Sequence, residues 1–225
     1  MISLNDDQRL KTLLARLHAE SEAQYPALAT YVASHDAGGG VAGSLEDIVG
    51  ARSFWRDKMV ALDPAKARFC YMLCRSLNAS KIVEAGTSFG VSTLYLAAAL
   101  RDNGGGTVIA TEYEPAKASI AREHFREARL HDYIDLREGD LRETLKNLTG
   151  PVDFFLSDIW TPLAMPALSL VGPHMRRGAI AIADNTLTYR KAYSEYFRYL
   201  ENPANGFITQ TLPFDGGLEM SIKCR

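Results

Sequence analysis

Cysteine is scarce in this 225-residue chain: Cys70, Cys74 and Cys224 are the whole complement. An odd number of thiols without an export signal argues against a disulfide framework and for a reducing, cytoplasmic setting. No C-x-x-C pair and no Cys/His set at zinc spacing occurs. No run of about 18 apolar residues is present, so no segment reads as membrane-spanning. Met1-Ile2-Ser3-Leu4-Asn5-Asp6-Asp7 lacks the basic and apolar regions of a signal peptide. The charge is nearly balanced, 25 basic against 27 acidic side chains for a net −2. The basic excess of a nucleic-acid binder is therefore missing. Internal repeats and low-complexity segments are absent as well.

What remains is ordinary globular composition, 47% hydrophobic and 23% charged, which excludes a disordered or collagen-like chain. The length suits one α/β domain or two small ones. Leu10, Leu13, Leu14 and Leu17 fall at helical spacing. Gly38-Gly39-Gly40 then predicts a break and a loop. Further helices are expected over Leu45 to Met59 and Pro64 to Leu77, the proline suiting a first turn. Cys70 and Cys74 share a face of the latter and read as small core residues.

After Asn78 short apolar runs alternate with amphipathic stretches. Strands are expected at 81–85, 107–111, 134–137, 152–156 and 179–183, each followed by a helix: 91–100, 115–130, 141–148, 163–171 and 189–200. Two last strands, 207–212 and 218–223, flank the turn Pro213-Phe214-Asp215-Gly216-Gly217. The alternation means βαβ units, hence a doubly wound, mostly parallel sheet with an antiparallel C-terminal hairpin. Near-continuous apolar strands fit a sheet covered on both faces. One domain follows, with residues 1–63 a helical extension and 64–225 a Rossmann-like core.

Glu84-Ala85-Gly86-Thr87-Ser88-Phe89-Gly90-Val91-Ser92 joins the first strand to its helix. Open parallel sheets bind ligands at such carboxyl ends. The spacing is G-x-x-x-G, neither the dinucleotide fingerprint nor a P-loop. Glu112 sits just after the second strand, about 20 residues beyond the turn, where doubly wound folds place an acid on ribose hydroxyls. Asp140 follows the third strand, within reach of an adenine amino group. At the fourth and fifth strand ends, Asp158, Asp184 and Asn185 offer three oxygens, the donor type that hard divalent cations such as Mg²⁺ select. Asp-Asn at a strand end is also common turn chemistry.

These residues carry a resemblance. Over about Ala67 to Lys223 the chain resembles class I S-adenosylmethionine-dependent methyltransferases, within them the catechol and caffeoyl-CoA O-methyltransferase group. The resemblance implies a Rossmann-like methyltransferase sheet. It implies S-adenosylmethionine contacts at Glu84, Gly86, Thr87, Ser88, Gly90, Ser92, Glu112, Asp140, Leu141 and Asp158. The turn and Ser92 would meet the methionine part, Glu112 the ribose and Asp140 the adenine. It implies a divalent cation, Mg²⁺, on Asp158, Asp184 and Asn185, with Asp158 the catalytic residue. It also implies a homodimer, with the N-terminal helices as candidate contacts. The acceptor would be a hydroxyl of a small aromatic, catechol-like molecule, with Trp160 as an aromatic wall and Phe54, Trp55 and Tyr189 as possible contributors. One position departs from the group: the general-base lysine three residues after the first metal aspartate is Thr161 here. Either metal-assisted ionisation of the acceptor suffices, or another group such as Lys66, Lys191 or His174 serves, or the substrate differs.

Three rival readings have sequence support. Gly86-Thr87-Ser88-Phe89-Gly90 also matches the G-x-S-x-G nucleophile elbow of serine hydrolases. Against it, only helices precede the turn and the last histidine, His174, lies before the fifth strand. A metal-independent methyltransferase with another acceptor would fit the loss of the lysine. So would a protein that binds S-adenosylmethionine without chemistry. Asp158-Ile159-Trp160-Thr161-Pro162 is not the Asn/Asp-Pro-Pro-aromatic motif of nucleobase enzymes.

Overall fold

The computed structural model describes residues 3–35 and 51–225. The expected glycine loop at 38–40 and the first part of the expected helix at 45–59 lie outside them. Residues 51–55 are helical and the chain leaves the helix there, short of Met59.

The N-terminal part contributes α1 (Gln8–Glu22), α2 (Tyr25–His35) and α3 (Pro64–Ser76). Asp7 caps α1 by accepting the Leu10 N–H, and Leu10, Leu13, Leu14 and Leu17 form its buried stripe. Asp63 caps α3 by accepting the Ala65 and Lys66 N–H groups, with Pro64 in the first turn.

The core runs β1 (Lys81–Ala85), α4 (Val91–Asn103), β2 (Thr107–Glu112), α5 (Pro115–Glu127), β3 (Ile134–Glu138), α6 (Leu141–Thr144) and β4 (Val152–Ser157). It continues with α7 (Thr161–Val171), β5 (Met175–Asp184), α8 (Ser194–Glu201), β6 (Phe207–Leu212) and β7 (Leu218–Lys223). The sheet order is β3-β2-β1-β4-β5-β7-β6, with β7 antiparallel to both neighbours. The doubly wound sheet with its C-terminal hairpin is thus as expected. The order reverses between β1 and β4, so a crevice opens at their carboxyl ends.

Alternation along the strands divides two cores. Ile82, Phe154, Leu156, Ile180 and Ile182 meet α1, α3 and α4, while Val83, Ala85, Phe155, Ala181 and Ala183 meet α7 and α8. No helix among the described residues is long and apolar enough to cross a membrane.

Several element lengths differ from expectation. The α5 helix stops at Glu127 because Arg129 turns left-handed and the Leu130 N–H reaches back to the Phe125 carbonyl. The stretch expected as helix over 141–148 is helical only to Thr144 and then loosens into turns. The chain after Asn185, itself at φ +57, runs in turns to Tyr193 before α8 begins. The β5 strand starts at Met175, earlier than its apolar run, because Arg176 is held by the Asp153 carboxylate.

Candidate active site

The β1 carboxyl end leads into the turn at Gly86, where φ is +97. A Cβ there would lie 2.0 Å from the Asp158 carbonyl oxygen, so only glycine lets β1 turn against β4. The Asp158 N–H in turn donates to the Ala85 carbonyl at 3.0 Å. Gly90, at φ +86, starts α4 against the Phe125 ring.

Glu84 is fully buried and faces α4. Its carboxylate accepts from Thr87 Oγ1 at 2.9 Å, Ser92 Oγ at 2.7 Å and Thr93 Oγ1. Burial raises its pKa and these hydroxyls oppose the rise. Glu84, Thr87 and Ser92 therefore act first on one another, and together they fix the turn. Thr93 was not singled out by sequence; the signal for it was a strand acid that needs donors from the following helix.

Glu112 also sits at the crevice. Its carboxylate accepts the Ser88 N–H at 2.7 Å and the Glu114 N–H at 2.8 Å. Burial pushes its pKa up, against the pull of those amides and Lys117. Asp140 caps α6 through the Arg142 N–H and pairs with the Arg142 guanidinium, which holds its carboxyl below the usual range. Leu141, next to it, is buried against the α7 side. Met59–Leu62, which the sequence did not flag, line the same cleft as Gly86, Thr87, Ser88, Ser92 and Asp158. Ser21 ties this segment down, donating to the Met59 carbonyl and accepting the Ala61 N–H.

Ser157 pairs with Ala183 across β4 and β5, so Asp158 and Asp184 follow at adjacent strand ends. Both continue the strand face that meets α3, as does Glu84. Cys70 on α3 reports the convergence: burial raises its thiol pKa, and the charges of Asp184, Asp158 and Glu84 raise it further. Burial pushes the Asp158 carboxyl well up, with Asp184 and Glu84 adding to it. Burial raises Asp184 too, opposed by Lys66. The Lys66 ammonium donates to Asp184 Oδ1 at 2.5 Å, with both side chains buried.

The other two candidate bases are placed differently. His174 precedes β5, a ten-residue strand away from Asp184, at the amino ends of the strands and not the carboxyl ends. Lys191 is exposed in the turns before α8. Thr161 is buried as the first residue of α7.

The donor set suits a hard cation in type. Among the described residues no three His, Cys, Asp or Glu side chains are placed to hold a metal ion. A third protein donor would be the Asn185 amide, whose oxygen lies near Gly216 of the hairpin turn. Asp158, Asp184 and Asn185 carry oxygens at adjacent strand ends, the donor type that would suit a hard divalent cation.

Trp160 stands two residues beyond Asp158. Trp55 meets it edge-on with centroids 5.8 Å apart, and Phe54 and Tyr31 continue the cluster, stacked at 3.7 Å. Tyr189 packs against the second core. Tyr31 joins the Trp160 cluster without having been expected. Arg52 reaches from the same N-terminal segment to Glu114, its guanidinium 4.6 Å over the Tyr113 ring.

Residues 83–186 match the family described as "Methyltransferase domain". This segment is similar to methyltransferase domains. The catechol O-methyltransferase of Niastella koreensis is 29% identical over 140 residues, 60% of this chain and 62% of that protein. The catechol O-methyltransferase of Mycobacterium tuberculosis is 28% identical over 129 residues, 57% of this chain and 58% of the relative. The chain thus spans about three fifths of the length of these two curated relatives. An O-methyltransferase from Bacillus cereus, in complex with SAH, superposes with a TM-score of 0.68 at 20% identity, covering 92% of this chain and 99% of that one. At that identity the likeness shows the fold alone, a seven-stranded, mostly parallel sheet with an antiparallel hairpin.

Proposed function

We propose that the protein transfers the methyl group of S-adenosylmethionine to a hydroxyl of a small, catechol-like aromatic molecule, assisted by a divalent cation, Mg²⁺. The observation that carries the reading is the placement of Asp158. It touches the glycine turn on one side, neighbours Asp184 on the next strand, and stands two residues from the Trp160–Trp55 pair.

In the reaction an acceptor oxygen attacks the methyl carbon while the carbon–sulfur bond breaks. Its electron pair passes to sulfur, leaving S-adenosylhomocysteine, and the acceptor proton is released. Such a displacement depends on alignment, so positioning supplies much of the rate. Gly86 lets the backbone come close to the cofactor. Glu112, its carboxylate oriented by two amides, would accept from the ribose hydroxyls, and Asp140 from the adenine amino group. Trp160 and Trp55 would hold a planar acceptor by its faces and edges. Asp158, Asp184 and Asn185 would hold the cation, which when bound lowers the pKa of a coordinated hydroxyl. The names of the curated relatives support the acceptor class. A cytoplasmic homodimer that binds neither nucleic acid nor membrane completes the reading; a monomer by light scattering would count against the dimer.

The test is methyl transfer to catechols, hydroxybenzoates and a caffeoyl thioester, with Mg²⁺ and with EDTA. Turnover lost in EDTA is expected. Turnover that survives EDTA would remove the cation, and cofactor binding without turnover on any acceptor would overturn the acceptor class.

A further inference from the structure

Three carboxylates, Glu84, Asp158 and Asp184, stand on the sheet face covered by α3, at the carboxyl ends of neighbouring strands. Lys66 is the cation at this face, its ammonium 2.5 Å from Asp184 Oδ1. It is itself 4% exposed, so its ammonium is committed to this cluster and not to solvent. The helix start fixes where it points: Asp63 caps α3 and Pro64 sets its first turn, placing Lys66 beneath the β5 carboxyl end.

We propose that Lys66 is a positioning residue that sets the cation affinity of the site by occupying Asp184 Oδ1 with a fixed positive charge. The inference rests on the cation reading given above and deepens it. Two consequences follow from the geometry. A hydrogen-bonded Oδ1 orients the carboxylate, as groups behind metal ligands commonly do. A resident ammonium beside the same carboxylate also repels an incoming divalent ion. At van der Waals to second-neighbour distances that repulsion exceeds thermal energy several-fold even with an effective dielectric of about 20. The repulsion outweighs the orientation, because the buried Asp184 side chain is confined by its surroundings as well as by Lys66. Lys66 therefore weakens the site, and a chain without its charge should bind cations more tightly.

The experiment titrates Mn²⁺ by calorimetry into the full chain saturated with S-adenosylhomocysteine, as wild type, Lys66→Met, Lys66→Gln, Lys66→Arg and the double variant Lys66→Met/Asp184→Asn. Melting curves and S-adenosylhomocysteine affinity establish that each variant is folded, and Lys66→Gln serves if Lys66→Met is not. The neutral variants should bind Mn²⁺ at least tenfold more tightly than wild type. Lys66→Arg, which keeps the charge, should stay within threefold of it, and the double variant should lose the gain. Equal or weaker Mn²⁺ binding by the neutral variants would overturn the proposal, because a merely structural ion pair predicts that result. Absence of Mn²⁺ binding in wild type and neutral variants alike would overturn the cation reading itself and the proposal with it.

Discussion

Replacing Gly86 by alanine tests the β1 turn quantitatively, because the chain contains its own control. Gly86 and Gly104 have nearly the same φ, +97 and +102, but an added Cβ at Gly104 meets nothing within 4 Å. At Gly86 it would lie 2.0 Å from a backbone carbonyl oxygen, where ordinary contact begins at 3.4 Å. Gly104→Ala therefore incurs only the left-handed backbone penalty, ~1–2 kcal/mol, less ~0.4–1 kcal/mol regained from a stiffer unfolded chain. Gly86→Ala incurs the same and must also push the turn away from β4. That retreat breaks the Asp158 N–H to Ala85 hydrogen bond, about 1 kcal/mol, and loosens the packing around it. The expected losses are ~1 kcal/mol for Gly104→Ala and ~3 kcal/mol for Gly86→Ala. At ~2–4 °C per kcal/mol for a domain of this size, the melting points should fall by about 3 °C and about 6–12 °C. Calorimetry with S-adenosylhomocysteine should show at least a tenfold loss for Gly86→Ala and none for Gly104→Ala. Equal melting shifts with unchanged affinity in both variants would refute the close-approach argument.

Glu112→Ala removes the acceptor of two backbone amides and of the proposed ribose contact; S-adenosylhomocysteine affinity should fall ~10–100-fold, worth ~1.5–3 kcal/mol. Unaltered affinity by calorimetry would contradict the ribose assignment. Asp184→Asn keeps the shape of the β5 end and should abolish the EDTA-sensitive turnover while cofactor affinity stays within twofold; full activity would sink the cation site. Asp153 ties strand ends together: burial raises its carboxyl pKa, but the Ser80 and Lys81 amides and Arg176 outweigh that and hold it below the usual range. A depressed folded-state pKa stabilises above the unfolded value near 3.8 and the stability is lost as pH falls through the folded one. Asp153→Asn should therefore cost ~2 kcal/mol near neutral pH, with the gap to wild type closing in urea melts below about pH 4; a pH-independent gap would refute the charge argument.

How far the molecule could be read from its sequence follows from the range of the forces involved. Strands such as Lys81–Ala85 and Phe207–Leu212 were legible to the residue because a period-two or continuous apolar run between turn residues is a local pattern. Elements were misjudged where a long-range partner decides. Met175 to Gly178 looks polar and joins β5 because Asp153 receives Arg176. Leu141, Leu145 and Leu148 keep helical spacing and are all buried, yet turns satisfy that burial as well as a helix does, so the spacing alone could not set the length. The position of the acids at the strand ends was legible because strand ends are where a doubly wound sheet exposes side chains. Their partners were not: Ser92 could be named from the turn, but Thr93 acquires meaning only once Glu84 is known to be fully buried. Lys66 shows the limit most clearly. It could be named as one candidate base among three, since each was a nitrogen in the chain. Only the packing of α3 beneath β5, across 118 residues of sequence, separates it from His174 at the amino ends of the strands and Lys191 in the exposed turns. The same packing changes the question asked of it. A buried ammonium already donating to a carboxylate is first of all a fixed charge, and its effect on the site is electrostatic whatever acceptor arrives.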